Sequence, residues 1–494
     1  MATKKYLIFD FGASNGRAIV AKFDGARAQM EVTHRFDNRP VTAAGTFYWD
    51  ILRLFSELKL GLQASLKKHP DVVSLAVDTW GCDFGFIDKK GKLIGNPVTY
   101  RDRKRHERSR LLYEIIPKKE LFMLSAGSTI EIMGIYQLFS FKYDDSSEIA
   151  CGSKFLMMPD LLNYFVTGRP CNEYTNATMA LLCDQTRRTW EKRILQRLGI
   201  DDSILCDIVM PGERIGRVQE QICRELDVAP LPVIAPATHD TASAVTGMPV
   251  VEKGKNWAFI STGTWSISGM ETAKPVLTDE AFDSGYGNNG IAEGRNMLVK
   301  YITGLWIIQQ CREKWMKERG SAIEWDEVVR LSEEAGPATA VIDVDTPVFG
   351  QPQADMPGMI VSYCREKGQK LENSIGPVAR CVYESLALKY RHNLQILEKL
   401  AGKKLDVIHL VGGGIQNQTL CQWTSDAMGV PVNAGPVETT SLGSLLMQLK
   451  GSGEIASLEE GREIALRSSE VVRYEPKGKS RWDDAYGKYR GLVP

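Results

Sequence analysis

Residues 6–23 read YLIFDFGASNGRAIVAKF: an apolar run closing on Asp10, a small polar turn from Gly12 to Gly16, and a second apolar run from Arg17. This pattern predicts a β-hairpin whose turn uses glycine's conformational freedom and leaves backbone N–H groups and hydroxyls exposed. Such a turn can cradle phosphate. The device recurs at 257–270, WAFISTGTWSISGM, with the turn at Ser261, Thr262, Gly263 and Thr264. One glycine-rich hairpin is ordinarily just a turn, but two in a duplicated architecture would make a clamp for a nucleotide's phosphates.

The reading extends outward from the first hairpin. Residues 6–10, 17–23 and 30–36 are three consecutive predicted strands. WDILRLFSELKLGLQASLKK (49–68) then sets Ile51, Leu54, Phe55, Leu58, Leu62 and Leu66 at helical spacing behind Asp50, a residue suited to N-capping. VVSLAVD follows as a buried strand ending at Asp78. This β-β-β-α-β order is that of a ribonuclease-H-like unit, a mixed sheet flanked by helices. From Trp257 the pattern restarts with two strands about the second turn. A helix at 304–318, a long helix around 377–400, the strand DVIHLV and glycines 412–414 before another helix follow. The expected boundary lies in the turn-rich stretch near Val245–Lys255, giving α/β domains over 1–247 and 248–494.

With 494 residues the chain exceeds what one hydrophobic core usually supports, so two domains are the default. Hydrophobic residues make up 43% and charged residues 25%, the proportions of an ordinary globular protein. Lys+Arg and Asp+Glu both number 61, which leaves no basic field to hold nucleic acid. No run of apolar residues is long enough to span a bilayer, and Asp10 interrupts the N-terminal run, so a cytoplasmic protein without membrane partners is expected. The ten cysteines show neither C-x-x-C nor zinc-type spacing and read as buried free thiols. Cys364 and Cys381 flank a polar stretch and could pair, although a reducing compartment argues against it.

Several chemistries are excluded: there is no Walker A loop, H-E-x-x-H, EF-hand or G-x-S-x-G elbow, and Asn417 stands where a dinucleotide fingerprint needs its last glycine. A nucleotide reading remains. Asp10 ends a strand beside the first turn, where a carboxylate can hold hydrated Mg²⁺ next to phosphates or simply bond its own turn. Gly412, Gly413 and Gly414 follow an apolar strand and either let a flat base lie against the backbone or form a tight strand-to-helix turn. In ATHDTASAV, Asp240 can accept the proton of an attacking hydroxyl or cap the helix that follows.

An ordered series of motifs bears on these alternatives. DFGASNGR (10–17), VDTWGCDF (77–84), NPVTYRDRK (96–104), LLNYFVTG (161–168), NEYTNAT (172–178) and HDTASAV (239–245) are followed by STGTWS (261–266), GIAEGR (290–295), GLW (304–306), VGGGIQN (411–417) and GPVETTSLG (435–443). Nearly end to end, the chain resembles the FGGY carbohydrate kinases. The resemblance implies an actin-like ATPase (sugar kinase) architecture, two ribonuclease-H-like domains with an interdomain cleft, and phosphorylation of a sugar hydroxyl by ATP with Mg²⁺. It also implies roles residue by residue. Ala13, Ser14, Asn15, Gly16 and Arg17 would line the first phosphate turn, with Asp10 near the metal through water. Thr264, Gln309 and Gly412–Gly414 would face the nucleotide. Asp240 would be the general base, and Gly81, His239 and Thr241 would border the sugar, with Trp80, Asp83, Tyr100 and Arg101 as further wall candidates. The motif set points to L-rhamnulose as acceptor, with L-fuculose or L-xylulose as rivals and an actin-like ATP-driven binding protein as the alternative of another class. One departure from the resemblance stands out: after Lys300 the chain carries Tyr301, where the resemblance implies Asn at a nucleotide contact.

Overall fold

The first hairpin forms as expected. Strand β1 (Lys4–Phe11) turns into β2 (Asn15–Phe23), and β3 (Ala28–Asp37) pairs antiparallel with β2. Side chains alternate across β1, so Leu7, Phe9 and Phe11 face one layer while Tyr6 and Ile8 face the other. The computed structural model describes residues 3–250, 252 and 254–493.

The first layer is helix α1 (Ile51–Lys68), which buries Leu54, Leu58, Leu62 and Leu66 against that face. Its N-cap is Asp50, whose carboxylate accepts from the Arg53 backbone N–H at 3.1 Å. Strand β4 (Val72–Thr79) returns parallel to β1, β5 (Arg214–Arg217) and β6 (Pro232–Ile234) extend the sheet beyond it, and the order is β5-β6-β4-β1-β2-β3. Helix α2 (Asp240–Thr246) follows β6.

The second sheet repeats this plan. Strand β7 (Trp257–Thr262) pairs antiparallel with β8 (Trp265–Thr272), and β9 (Asn296–Thr303) lies beyond β8. Helix α3 (Trp306–Arg319) and the long α4 (Ile375–Ala401) precede β10 (Val407–Val411), which runs parallel to β7. Helix α5 (Gln418–Met428) leads to β11 (Val432–Ala434). Helix α6 (Thr439–Gly451) follows, and with strand β12 (Val472–Tyr474) the order is β9-β8-β7-β10-β11-β12, with the short strand Gly287–Gly290 paired outside β9. Thus β7, β8, β10 and β11 correspond to β1, β2, β4 and β6.

The division of the chain differs from two consecutive halves. One compact unit comprises Met1–Val251, Glu271–Leu298 and Glu438–Ser469, and the other Glu252–Met270, Val299–Val437 and Glu470–Pro494. The reason is packing: Leu442, Leu445, Leu446 and Leu449 of α6 cover the face of the first sheet that presents Tyr6, Ile8, Ile19 and Ala21. Without α6 that apolar face would be open to water. All ten cysteines are free, and Cys364 and Cys381 lie close enough for their thiols to hydrogen-bond without a disulfide. No helix among the described residues is long and apolar enough to cross a membrane.

Candidate active site

In the first unit, parallel pairing of β1 with β4 sets Asp10 opposite Asp78, and an isolated bridge joins Thr79 to His239. Neighbouring strands lie about 5 Å apart, so the sheet's register alone gathers these carboxylates at one end. Arg17, the first residue after the turn motif, donates to Asp10 at 2.6 Å and to Glu438 at 2.7 Å. Ser441 also meets Asp10, at 3.3 Å. Burial raises the Asp10 pKa against the pull of Arg17. Burial works against the charge of Arg17 too, but its bonds to Glu438 and the charge of Asp10 outweigh that. Asp78 is fully buried and neither carboxylate oxygen has a hydrogen bond of ordinary geometry, the Ser444 hydroxyl being the donor that faces it. Burial first, then the charges of Asp10 and Asp240, push its pKa well above the ordinary carboxylate range. The sequence marks Asp78 only as a strand end and gives Glu438 no role by itself. The register of DFG with VDT was the signal for the former.

The turn from Gly12 to Asn15 is closed by Gly12 N–H on the Asn15 carbonyl at 2.8 Å. Asn38 pins it twice, through its amide on the Gly12 carbonyl at 2.9 Å and its backbone N–H on the Ser14 carbonyl at 3.0 Å. Ser14 and Asn15 are exposed and Ala13 is half-buried, so the tip is open to a ligand.

Asp240 opens α2 with His239 in the capping position, which corrects the capping role expected for Asp240. Its carboxylate accepts from the Thr241 N–H at 2.5 Å and the Thr241 hydroxyl at 3.2 Å. The side chain is 35% exposed and lies 3.4 Å from His239 Nε2. The protein packed around that open edge raises its pKa to about 6, with the Thr241 bonds opposing the shift. Burial lowers His239 to about 3, which makes it a neutral imidazole at physiological pH. Gly81 lies against the same histidine: a Cβ there would stand 2.9 Å from Met179 Cγ and 3.2 Å from His239 Cδ2. Gly81, His239, Asp240 and Thr241 are therefore brought together.

The remaining wall candidates divide. Asp83 is wholly buried and occupied: the indole N–H groups of Trp49 and Trp80 donate to one oxygen at 2.6 and 2.9 Å, and Arg105 pairs with the other at 3.1 Å. Asp83 and Trp80 thus hold the floor together rather than presenting polar atoms to a ligand. Tyr100 is half-buried and Arg101 exposed, with the guanidinium 5.3 Å from the Tyr100 ring centroid.

In the second unit, the turn at 261–264 is built into its surroundings. Gly263 N–H bonds the Trp265 carbonyl at 3.0 Å, and the Gly263 and Thr264 carbonyls accept from Leu305 and Trp306 at the start of α3. Thr264 donates through its hydroxyl to Gln309 at 3.3 Å. Tyr390, buried on α4, places its hydroxyl 2.8 Å from that of Ser266 and 3.5 Å from that of Thr262. The glycine run packs on this turn. Gly412 has φ +86°, and a Cβ on it would stand 2.7 Å from the Thr262 carbonyl oxygen, so both conformation and space require glycine. Gly413 is open, and Gly414 is buried against Thr262. Thr264, Gln309 and the glycine run therefore gather about one turn, with Thr264 and Gly413 its exposed members. Tyr301, on β9, is half-buried.

Comparisons with known proteins place the chain in a family. The family model for the N-terminal domain of the FGGY family of carbohydrate kinases matches residues 5–247, and that for the C-terminal domain matches 258–451. The chain belongs to the FGGY family of carbohydrate kinases. This FGGY chain is 33% identical over 490 residues to a rhamnulokinase of Bacteroides thetaiotaomicron, covering 99% of each. It is 32% identical over 468 residues to a rhamnulokinase of Oceanobacillus iheyensis, covering 95% of this chain and 97% of that one. Among solved structures, the gluconate kinase of Lactobacillus acidophilus superposes with a TM-score of 0.81 at 14% identity, over 99% of this chain and 97% of that one, which shows the shared fold. Among the described residues, no group of three or more His, Cys, Asp or Glu side chains is arranged to hold a metal ion.

Proposed function

We propose that this FGGY kinase transfers the γ-phosphoryl group of ATP to the 1-hydroxyl of L-rhamnulose, giving L-rhamnulose 1-phosphate and ADP. The observation that carries the chemistry is Asp240, a partly open carboxylate with a pKa near 6 beside neutral His239 and the bare backbone of Gly81. Ionised at neutral pH yet more basic than an ordinary aspartate, it is suited to take the hydroxyl proton as the oxygen attacks phosphorus. Neutral His239 offers hydrogen bonding without competing for that proton. The absence of a side chain at Gly81 lets Met179 and His239 close on its backbone, which sets His239 beside Asp240. Full-length similarity to proteins named rhamnulokinase supports the choice of acceptor.

The turn at Ala13–Arg17 and the turn about which Thr264, Gln309 and Gly412–Gly414 gather are the groups that bind ATP in this reading. Magnesium enters as MgATP. The orphaned carboxylate of Asp78 beside Asp10 fits a nearby cation, which Asp10 would hold through water. When bound, the ion supplies positive charge to the phosphate oxygens. A reaction that consumes ATP and a catabolic sugar belongs in the cytoplasm. Purified protein supplied with MgATP and equal subsaturating L-rhamnulose, L-fuculose, D-xylulose and glycerol tests the reading, with products identified by mass and chromatography. Preferential formation of L-rhamnulose 1-phosphate is expected. Preference for L-fuculose would overturn the acceptor, and absence of any acceptor-dependent ADP release would overturn the kinase reading.

A further inference from the structure

NEYTNAT forms a short helix, Tyr174–Thr178, whose position in the fold gives Glu173 a second task. Glu173 is wholly buried. As the N-cap of that helix it accepts from the Thr175 N–H at 2.9 Å, the Thr175 hydroxyl at 2.6 Å and the Asn176 N–H at 3.4 Å. The same carboxylate reaches 65 residues along the chain to accept from the Thr238 N–H at 2.9 Å and the Thr238 hydroxyl at 2.7 Å. Thr175 adds a second tie, its hydroxyl accepting from the His239 N–H at 3.3 Å. Asn176 then spans two strand ends with its amide, which lies 3.4 Å from the Trp80 carbonyl and 3.4 Å from that of Thr238.

We infer that Glu173 is a positioning residue for Asp240: one buried carboxylate locks the backbone of Thr238 directly and that of His239 through the Thr175 hydroxyl, and so fixes where the next residue points its own. The inference rests on Asp240 as the base. It explains why helix capping alone does not account for this residue, since an aspartate or serine would serve a cap but lacks the reach to Thr238. It also explains why glutamine is a poor substitute. Backbone N–H groups approach both oxygens, Thr175 on one and Thr238 on the other, so either orientation of an amide turns its NH₂ against a donor that cannot reverse. A displacement of about 1 Å at a reacting group costs on the order of 100-fold in rate, so a small drift of the Thr238–His239 segment is felt in turnover.

The test is a double-mutant cycle of kcat at saturating sugar and ATP, with ATP affinity measured by calorimetry. Glu173→Gln alone should lower kcat about 10–100-fold and leave ATP affinity within about twofold. Combined with Asp240→Asn it should lower kcat little further, because it acts only through that carboxylate. Thr238→Val, which removes one donor and keeps the backbone N–H, should give a smaller loss of the same kind, and Thr238→Ser should restore most of it. If Glu173→Gln does not fold, the Thr238 pair decides alone by the presence or absence of that loss and rescue. Full turnover in Glu173→Gln, or equal losses in the presence and absence of the Asp240 side chain, overturns the inference while the base assignment stands. Full turnover in Asp240→Asn overturns both.

Discussion

The two units use one sheet plan to different chemical ends. Asp10 and Ser261 occupy the same place one residue before the last hairpin pair, and their parallel partners are Asp78 and Val411. Beyond those partners the chain continues as Thr79-Trp80-Gly81 in one unit and Gly412-Gly413-Gly414 in the other. The first strand ends are thus loaded with buried carboxyl groups, with Arg17 as the cation that bridges Asp10 and Glu438. The second are made of hydroxyls, carbonyls and bare backbone, braced by Tyr390. Duplication supplies the scaffold, and residue choice at equivalent strand ends decides whether a site handles protons or presents a surface. If the comparison is right, damage at Asp240 in the first unit should appear in kcat, and damage at the 261–264 turn of the second in nucleotide binding.

The sharpest test is Asp240→Asn, expected to reduce kcat by about 10²–10⁴ with ATP affinity nearly intact, since only the proton acceptor is removed. Turnover within threefold of the parent would break the division at its chemical end. The parent's kcat/KM should also fall with acidity below about pH 6, because the base works only when deprotonated and its pKa is raised to that value. An acid limb left in place by the asparagine variant would assign it to another group.

Gly263→Val should weaken MgATP binding by about tenfold or more. The Cβ position at Gly263 is clear apart from the Trp265 carbonyl oxygen at 3.6 Å, so the added methyls project from the turn without disturbing the fold. Gly487→Ala, on a helix with open space about it, is the matched control. Calorimetry showing unchanged MgATP affinity in a folded Gly263 variant would remove the second turn from the nucleotide site.

Tyr390→Phe strips the hydroxyl shared by Ser266 and Thr262 and leaves their oxygens buried without it. A loss of about 1–2 kcal/mol in stability and a rise of about threefold in KM for ATP are expected, with kcat at saturation unchanged. Denaturant unfolding and initial-rate kinetics measure the two, and a fall in kcat with no change in KM would contradict the assignment.

The smallest effect concerns stability. Folding raises the Asp240 pKa from about 4 to about 6, so between those values the native state binds more protons than the unfolded state and stability falls as pH rises. The whole penalty is present above pH 6. Asp240→Asn should therefore melt slightly above the parent at pH 7, by about 2 °C, and not at pH 4. A lower melting temperature at pH 7 would mean the carboxylate is structurally favourable where it sits.

Local pattern was enough for the hairpins, for α1 and its Asp50 cap, and for the glycine run, because each depends on residues within a few positions of one another. Motif order along the chain was enough to place Asp240, His239 and Gly81 among the candidates. What the pattern misread was the independence of residues. Asp83 looked available and is held by two indoles and a guanidinium, and α6 looked like part of the second half and covers the first sheet.

By itself the sequence determined the two β-hairpins and the elements nearest them, the family through its ordered motifs, and the residues able to do acid–base chemistry, since these follow from spacing, turn chemistry and side-chain type. Only the tertiary structure decided which of those residues meet. Strand register set Asp78 against Asp10, Arg17 bridged to Glu438 421 residues away, and Glu173 closed on Thr238. Such contacts depend on how sheets and helices stack to bury apolar faces, and burial in turn sets the Asp240 pKa, a quantity no single stretch of chain contains.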